Sequence, residues 1–306
     1  MAFTLNAYLP SKKCEVQIKE LYYKQYRELV KSLYNTDKKE TIQQYNSILQ
    51  ELCPSIEKLD ITFEDKLSLL LTIRNYCVSP DLKLKGTDVN KRDFNYSVTV
   101  ENLIKLIHTV NKSSSLSWQG IDITFSSYKA RDEHVFLNNN KDIFVILGSC
   151  IDTIKIEKEI VVFKDLTYEE RARVVDSLPL ELSNLIHKEI TAIENKYELE
   201  NFLVVKNPIT GEAVLRLSKN ITFETLQKMI EFIFTEDLNN IYRAFYNMVK
   251  FAGFDANYID NITPVEMQVY WMYYMKDLDE VKSVNKSESS GGLNVNTSAS
   301  NPEFGF

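Results

Sequence analysis

Thr263-Pro264-Val265-Glu266-Met267-Gln268-Val269-Tyr270-Trp271-Met272-Tyr273-Tyr274-Met275 is the stretch around which the remaining sequence can be arranged. The Thr263 hydroxyl is placed to accept from a first-turn amide that has no partner inside a helix. Pro264 stands at the one helical position where a missing N–H costs nothing, and Glu266 completes a capping box. Beyond it Met267, Tyr270, Trp271, Tyr274, Met275 and Leu278 recur at helical spacing as one apolar stripe. Val269, Met272 and Tyr273 form a second apolar face, leaving mainly Glu266, Gln268, Lys276, Asp277 and Glu280 for water. A helix this broadly apolar needs cover on two sides. Two readings stay open. Either it is a central core helix, or Tyr270, Trp271 and Tyr274 meet another protein, since Tyr, Trp and Met are enriched at interface centres.

Upstream, Leu238, Ile241, Tyr242, Phe245, Met248 and Val249 stripe a helix with Thr235 as its cap and Gly253 just past its end. Leu226, Met229, Ile230, Ile233 and Phe234 stripe another, capped by Thr222. Phe202 to Val205 and Ala213 to Leu217 flank Pro208-Ile209-Thr210-Gly211 as a hairpin. A capping box at Thr167 and Glu170 opens a short helix ending at Ser177-Leu178-Pro179, and Leu182, Leu185, Ile186, Ile190 and Ile193 mark the next. The middle is mixed. Phe94, Tyr96, Val98 and Val100 alternate, as do Ile121, Ile123 and Phe125, while Leu103 to Val110 is helical. Ile154 and Ile156, then Ile160 and Val162, flank Glu157-Lys158-Glu159 as a second hairpin, so a small sheet with one or two helices is expected.

At the amino-terminal end, Phe3 and Leu5, then Val16 and Ile18, read as strands around a turn. A helix follows to about Asn35, Thr36 recaps a second, and Cys53-Pro54 stops it. Thr62 with Asp65 caps a third, Phe63 to Val78, whose nearly all-round apolar content predicts a central position. The whole reads as an α+β, mainly helical fold, with small antiparallel strands or hairpins in the amino-terminal and middle regions and a helical carboxyl-terminal half. The expected regions are 1–80, 81–163 and 164–282. Residues 283–306 turn to Ser, Gly and Asn and read as a flexible tail. Phe304 and Phe306 at its end are either a docking peptide or simply exposed.

The 306 residues include only 8 Gly and 7 Pro but 17 Tyr and 16 Phe, which favours long regular elements. A net charge of −7 disfavours a nucleic-acid partner, because there is no basic surplus to displace counterions. No apolar run approaches membrane-spanning length and no leader follows Met1-Ala2, so a soluble cytoplasmic protein with no membrane partner is expected. Cys14, Cys53, Cys77 and Cys150 are far apart and read as reduced, buried thiols. Of the three histidines, His187 reads as a core or rim residue. His134 follows Arg131-Asp132-Glu133, which reads as a solvated turn, and Gly148-Ser149-Cys150 reads as a small-residue packing turn. The sequence shows no zinc, EF-hand, P-loop, dinucleotide or serine-hydrolase pattern. It offers no catalytic, cofactor-binding or metal-ligating residue, and no cofactor is expected.

Four stretches resemble the baseplate hub assembly family of T-even-like contractile-tailed bacteriophages. They are Leu9-Pro10-Ser11 leading into the Val16–Ile18 strand, Asp65 with Leu70 and Ile73-Arg74, Asp176-Ser177-Leu178-Pro179, and Gly253-Phe254-Asp255 followed by Ile262-Thr263-Pro264-Val265-Glu266. The extended middle and the tail from Lys282 depart from that pattern. The resemblance implies a non-enzymatic assembly factor for the baseplate hub, working through protein–protein contacts in the cytoplasm of an infected bacterium. The alternatives are a structural subunit kept in the virion tail baseplate and an enzyme of unrecognised type. The implied partners are phage tail proteins (hub, tape-measure or baseplate subunits), with a homo-oligomer as a further option. The candidate contact residues are Tyr270, Trp271, Tyr274, Phe304 and Phe306.

Overall fold

A computed structural model describes residues 4–87, 91–137 and 143–288. Its innermost element is α3 (Phe63–Ile73), buried at every residue, polar ones included. Thr62 and Asp65 form the expected capping box, with the Thr62 amide donating to Asp65 at 2.9 Å. At Ile73 the α-helix widens into one π-helical turn, Arg74–Val78, so the helix expected to run through to Val78 has two parts.

Against α3 pack the hairpin of β1 (Thr4–Leu9) and β2 (Cys14–Lys19), then α1 (Tyr23–Leu33) and α2 (Lys38–Leu52). The cap of α2 is Asp37, not Thr36. Its carboxylate accepts from the Lys39 amide at 2.8 Å. A second hairpin pairs β3 (Asp81–Thr87) with β4 (Asp93–Thr99), and α4 (Val100–Ile107) follows. The middle sheet is antiparallel throughout, in the order β5 (Ser114–Trp118), β6 (Ile121–Phe125), β7 (Ile151–Ile156), β8 (Glu159–Val162). Between β6 and β7 lie α5 (Glu133–Leu137) and α6 (Ile143–Cys150), and α7 (Tyr168–Asp176) and α8 (Leu180–Leu199) come after. A third hairpin, β9 (Asn201–Lys206) with β10 (Ala213–Ser218), leads to α9 (Phe223–Ile233), α10 (Leu238–Lys250), α11 (Ala256–Asp260) and α12 (Pro264–Glu288). The fold is α+β and mainly helical, with small antiparallel sheets in the amino-terminal and middle regions and helices in the carboxyl-terminal half.

Two apolar cores result. One gathers side chains from Leu5 to Val110 and again from Tyr197 to Trp271 around α3. The other lies between the middle sheet and α6–α8, with Ile123, Phe125 and Ile154 facing Val175, Leu182 and Ile186. Tyr128 and Ile193 touch both. Gly148-Ser149-Cys150 is the last turn of α6 rather than a loop. A Cβ at Gly148 would stand 3.3 Å from Arg171 Cβ, so a glycine lets α6 and α7 meet almost backbone to backbone. Burial pushes the Cys150 thiol up to about 12, which leaves it a packing group.

What joins the parts is charge. Arg131-Asp132-Glu133, expected to be solvated, has Asp132 and Glu133 buried. Arg171 forks onto Asp132 with two hydrogen bonds of 2.6 and 2.7 Å, and Lys66 of α3 reaches Glu133 at 2.7 Å and Asn46 of α2 at 2.7 Å. The other charged residues of α3 reach out in different directions. Asp65 takes the Ser11 amide in the first hairpin turn at 2.9 Å, and Glu64 pairs with Lys112 at 3.3 Å. Arg74, on the π turn, pairs with Glu236 between α9 and α10 at 3.2 Å. Buried charges persist only when paired and hydrogen-bonded, so each of these contacts fixes where one region sits on α3.

Candidate functional site

The carboxyl-terminal helices leave several large apolar side chains exposed. Asp237 caps α10 through the Asn239 amide at 2.9 Å. Thr235, expected in that role, instead donates its hydroxyl to the Glu231 carbonyl of the preceding helix. Asp255 caps α11, and Thr263 and Glu266 close the expected box on α12, with the Thr263 amide donating to Glu266 at 2.8 Å. These caps fix which side of each helix turns inward: Ile241, Ala244 and Met248 on α10, Ile259 on α11, and Met267 and Trp271 on α12.

The opposite sides carry Tyr242, Tyr246, Phe251, Tyr258, Val269, Met272 and Tyr273 into solvent. Phe251, Met272 and Tyr273 keep 62%, 66% and 63% of their surface exposed. The rings support one another. Tyr246 meets Phe251 edge-on with centroids 5.9 Å apart, and Phe254 lies 5.4 Å from Tyr270 and 6.2 Å from Tyr258. The Tyr258 and Tyr270 hydroxyls are 2.9 Å apart, which holds the Tyr258 phenol above its usual range. Arg27 of α1 lies over Phe245 at 4.0 Å and pairs with Asp260, anchoring this layer to the core.

Of the residues singled out in the sequence, Trp271 is buried in the larger core, with its ring 5.7 Å from Tyr274. Tyr270 and Tyr274 are half-buried at the core's edge. The uncovered side of α12 is the second apolar face, Val269, Met272 and Tyr273. Gln268, expected to face water, donates to the Val78 carbonyl at 3.0 Å and ties α12 to the end of the π turn. Tyr242, expected on a buried stripe, is exposed, and the sequence reading passed over Tyr246 and Phe251. Tyr242 and Tyr246 lie off the Ile241–Ala244–Met248 line at 100° per residue, which is the signal that could have found them, whereas Phe251 falls near that line and is exposed because it stands at the C-cap, past the last turn of α10. Phe304 and Phe306 lie outside the described residues.

Two clefts of mixed polar and apolar lining flank α3. The larger, about 730 Å³, is lined by Lys39, Asn46, Lys66, Arg131, Glu133 and His134 among others. The smaller, about 360 Å³, includes Lys12, Lys58, Glu64, Lys112, Asp152 and Lys164. Several of these charges are committed to one another: Lys66 to Glu133, Lys112 to Glu64, Arg131 to Asp60 at 2.7 Å, and buried Lys129 to Asp152 at 2.5 Å. His134 is exposed, with Nδ1 3.0 Å from the Arg131 carbonyl, and His187 is exposed beside Thr191. His108 Nε2 is 3.1 Å from Ser68 Oγ, but that hydroxyl donates to the Tyr8 carbonyl at 2.7 Å and has no proton to give the imidazole. Among the described residues no cluster of three or more His, Cys, Asp or Glu side chains is arranged to hold a metal ion. Among them, too, no helix is long and apolar enough to cross a membrane.

A family model described as T4 bacteriophage base plate protein matches residues 1–219. The chain belongs to that family. The matched residues run from the first hairpin through β10 and take in three of the four stretches that carried the sequence resemblance. The fourth, Gly253 to Glu266, and the exposed aromatic side of α10–α12 follow the matched segment of this baseplate protein. No match was found among curated proteins or among solved structures.

Proposed function

We propose that this baseplate protein is a non-enzymatic assembly factor for the hub, working through contacts with other tail proteins. The observation that carries the reading is that Phe251, Met272 and Tyr273, with Tyr242, Tyr246 and Tyr258, all stand exposed on the carboxyl-terminal helices. Exposed Tyr, Phe and Met side chains on three successive helices have the composition enriched at interface centres. Removing water from such rings on docking supplies most of the affinity, and a few of them dominate it.

The test is capture of baseplate and hub proteins from infected cells by the tagged full-length chain, compared with a Met272→Glu/Tyr273→Glu variant. Both positions are exposed, so the variant is expected to keep its melting temperature and to lose most of the captured protein. Equal capture by both chains would refute the reading. Mass spectrometry of purified virions then separates assembly factor from structural subunit, since stoichiometric presence in the particle makes the chain a subunit. One observation favours an enzyme instead: His134 stands on the larger cleft together with Glu57 and Asp165. That reading requires His134→Ala to abolish function in infection while leaving capture intact.

A further inference from the structure

The middle sheet ends in an unguarded edge. Gln119 and Gly120 both have positive φ, 47° and 84°, making the two-residue turn whose twist suits a tight hairpin. Trp118 and Ile121 flank that turn as partners, so Trp118 and Leu116 hydrogen-bond inward to Ile121 and Ile123. By alternation the amides and carbonyls of Ser115 and Ser117 point outward. Among the described residues none of these outward groups has a backbone or side-chain partner. The side chains divide the same way: Leu116 and Trp118 pack half-buried on the second core, while Ser115 and Ser117 are exposed.

Sheet edges are usually blunted by a charge, a proline, a bulge or a covering loop. β5 reads Ser-Ser-Leu-Ser-Trp and has neither charge nor proline, and its pairing with β6 shows no bulge. The other edge, β8, is only four residues long, opens with Glu159 and passes straight into a 3₁₀ turn at Phe163–Asp165.

We infer that β5 is a self-pairing edge, whose occupant is β5 of a second copy of this chain. The strand is symmetric about Leu116 in the property that matters. With a two-fold axis through Leu116, Ser115 of one copy faces Ser117 of the other, and each such pair exchanges both hydrogen bonds. On the core side Leu116 meets Leu116, and Ser114 meets Trp118. No like charges oppose each other, because β5 carries none. The two four-stranded sheets become one, and the half-exposed Leu116 and Trp118 gain cover. A five-residue edge buries less than the roughly 1,000 Å² expected of a stable free interface, so the pairing is weak in dilute solution and is strengthened where copies are held together.

The experiment uses the full chain and follows mass against concentration by analytical ultracentrifugation. The wild type is expected to dimerise with rising concentration. Ser117→Pro, which removes an outward N–H, and Ser115→Lys/Ser117→Lys, which sets lysines opposite lysines, are each expected to weaken the dimer at least tenfold. The lysine pair decides the matter if the proline variant fails to fold. Leu116→Cys is expected to give a disulfide-linked dimer on a non-reducing gel, absent from wild type, because the pair on the axis lies about 4.5 Å apart between Cα atoms, within disulfide reach. A wild type that stays monomeric at every concentration overturns the inference. So does a dimer that survives both serine variants but dissolves in Met272→Glu/Tyr273→Glu. A monomer whose lysine variant loses a co-purifying baseplate protein overturns it too, and assigns the edge to a strand of that protein.

Discussion

Lys66 shows what a single side chain does here. It is buried in α3 with its ammonium held between Glu133 and Asn46. Lys66→Met would leave Glu133 charged and unpaired in the interior, an expected loss of about 3–5 kcal/mol. Lys66→Met with Glu133→Leu removes both charges and should recover most of that loss, because a buried pair gains little over apolar groups of similar size. Urea denaturation of the two variants measures the difference. His108 makes a separate, pH-dependent contribution. Burial holds its imidazole below the ordinary value of 6.5, so the unfolded chain takes up the proton first. Its contribution is complete above that ordinary value and is lost as pH falls through the depressed folded one. Unfolding free energy should therefore decline as pH falls below the ordinary imidazole value, and His108→Gln should flatten that decline. None of these partners could be read from the sequence. Arg131-Asp132-Glu133 looks solvated because hydropathy carries no information about a lysine 67 positions away.

Elements were far more legible. Capping boxes at Thr62, Thr167 and Thr263 set three helix starts where the sequence put them, because a cap depends on residues three apart and on nothing distant. The misses at Thr36 and Thr235 are the same chemistry displaced: an aspartate stood nearby each time and captured the free amide. The hairpins β1–β2, β7–β8 and β9–β10 followed from alternation, while β3 and β5, with few apolar residues, were not foreseen as strands, and the reading of α12 as two apolar faces was right about composition while leaving open which face is covered. That choice depends on α1, α10 and the π turn, which meet α12 only in three dimensions. Gly148 carries the prediction at this scale. Gly148→Ala places a methyl 3.3 Å from Arg171 Cβ and 3.6 Å from its backbone, where α7 cannot yield without disturbing the Arg171–Asp132 fork. An expected loss of about 1–3 kcal/mol, typical of overpacking, would appear as a lower melting temperature.

For the molecule as a whole, the core's last buried contribution from α12 is Trp271, with Met275 at its margin. Removal of residues 283–306 is expected to leave one cooperative unfolding transition at nearly the wild-type temperature while weakening capture of tail proteins. A broadened or lost transition in calorimetry would show that the segment supports the fold. The π turn that follows α3 also sets a clock on the protein's birth. Arg74 leaves the ribosome 162 residues ahead of Glu236, and at about 5–20 residues per second that is a wait of roughly 8–30 s. Through that interval a cation destined for the interior has no counterion, so the nascent chain cannot close its centre piecemeal. Its centre closes late, once Glu236 has been made, and the interior around Arg74 stays open until then.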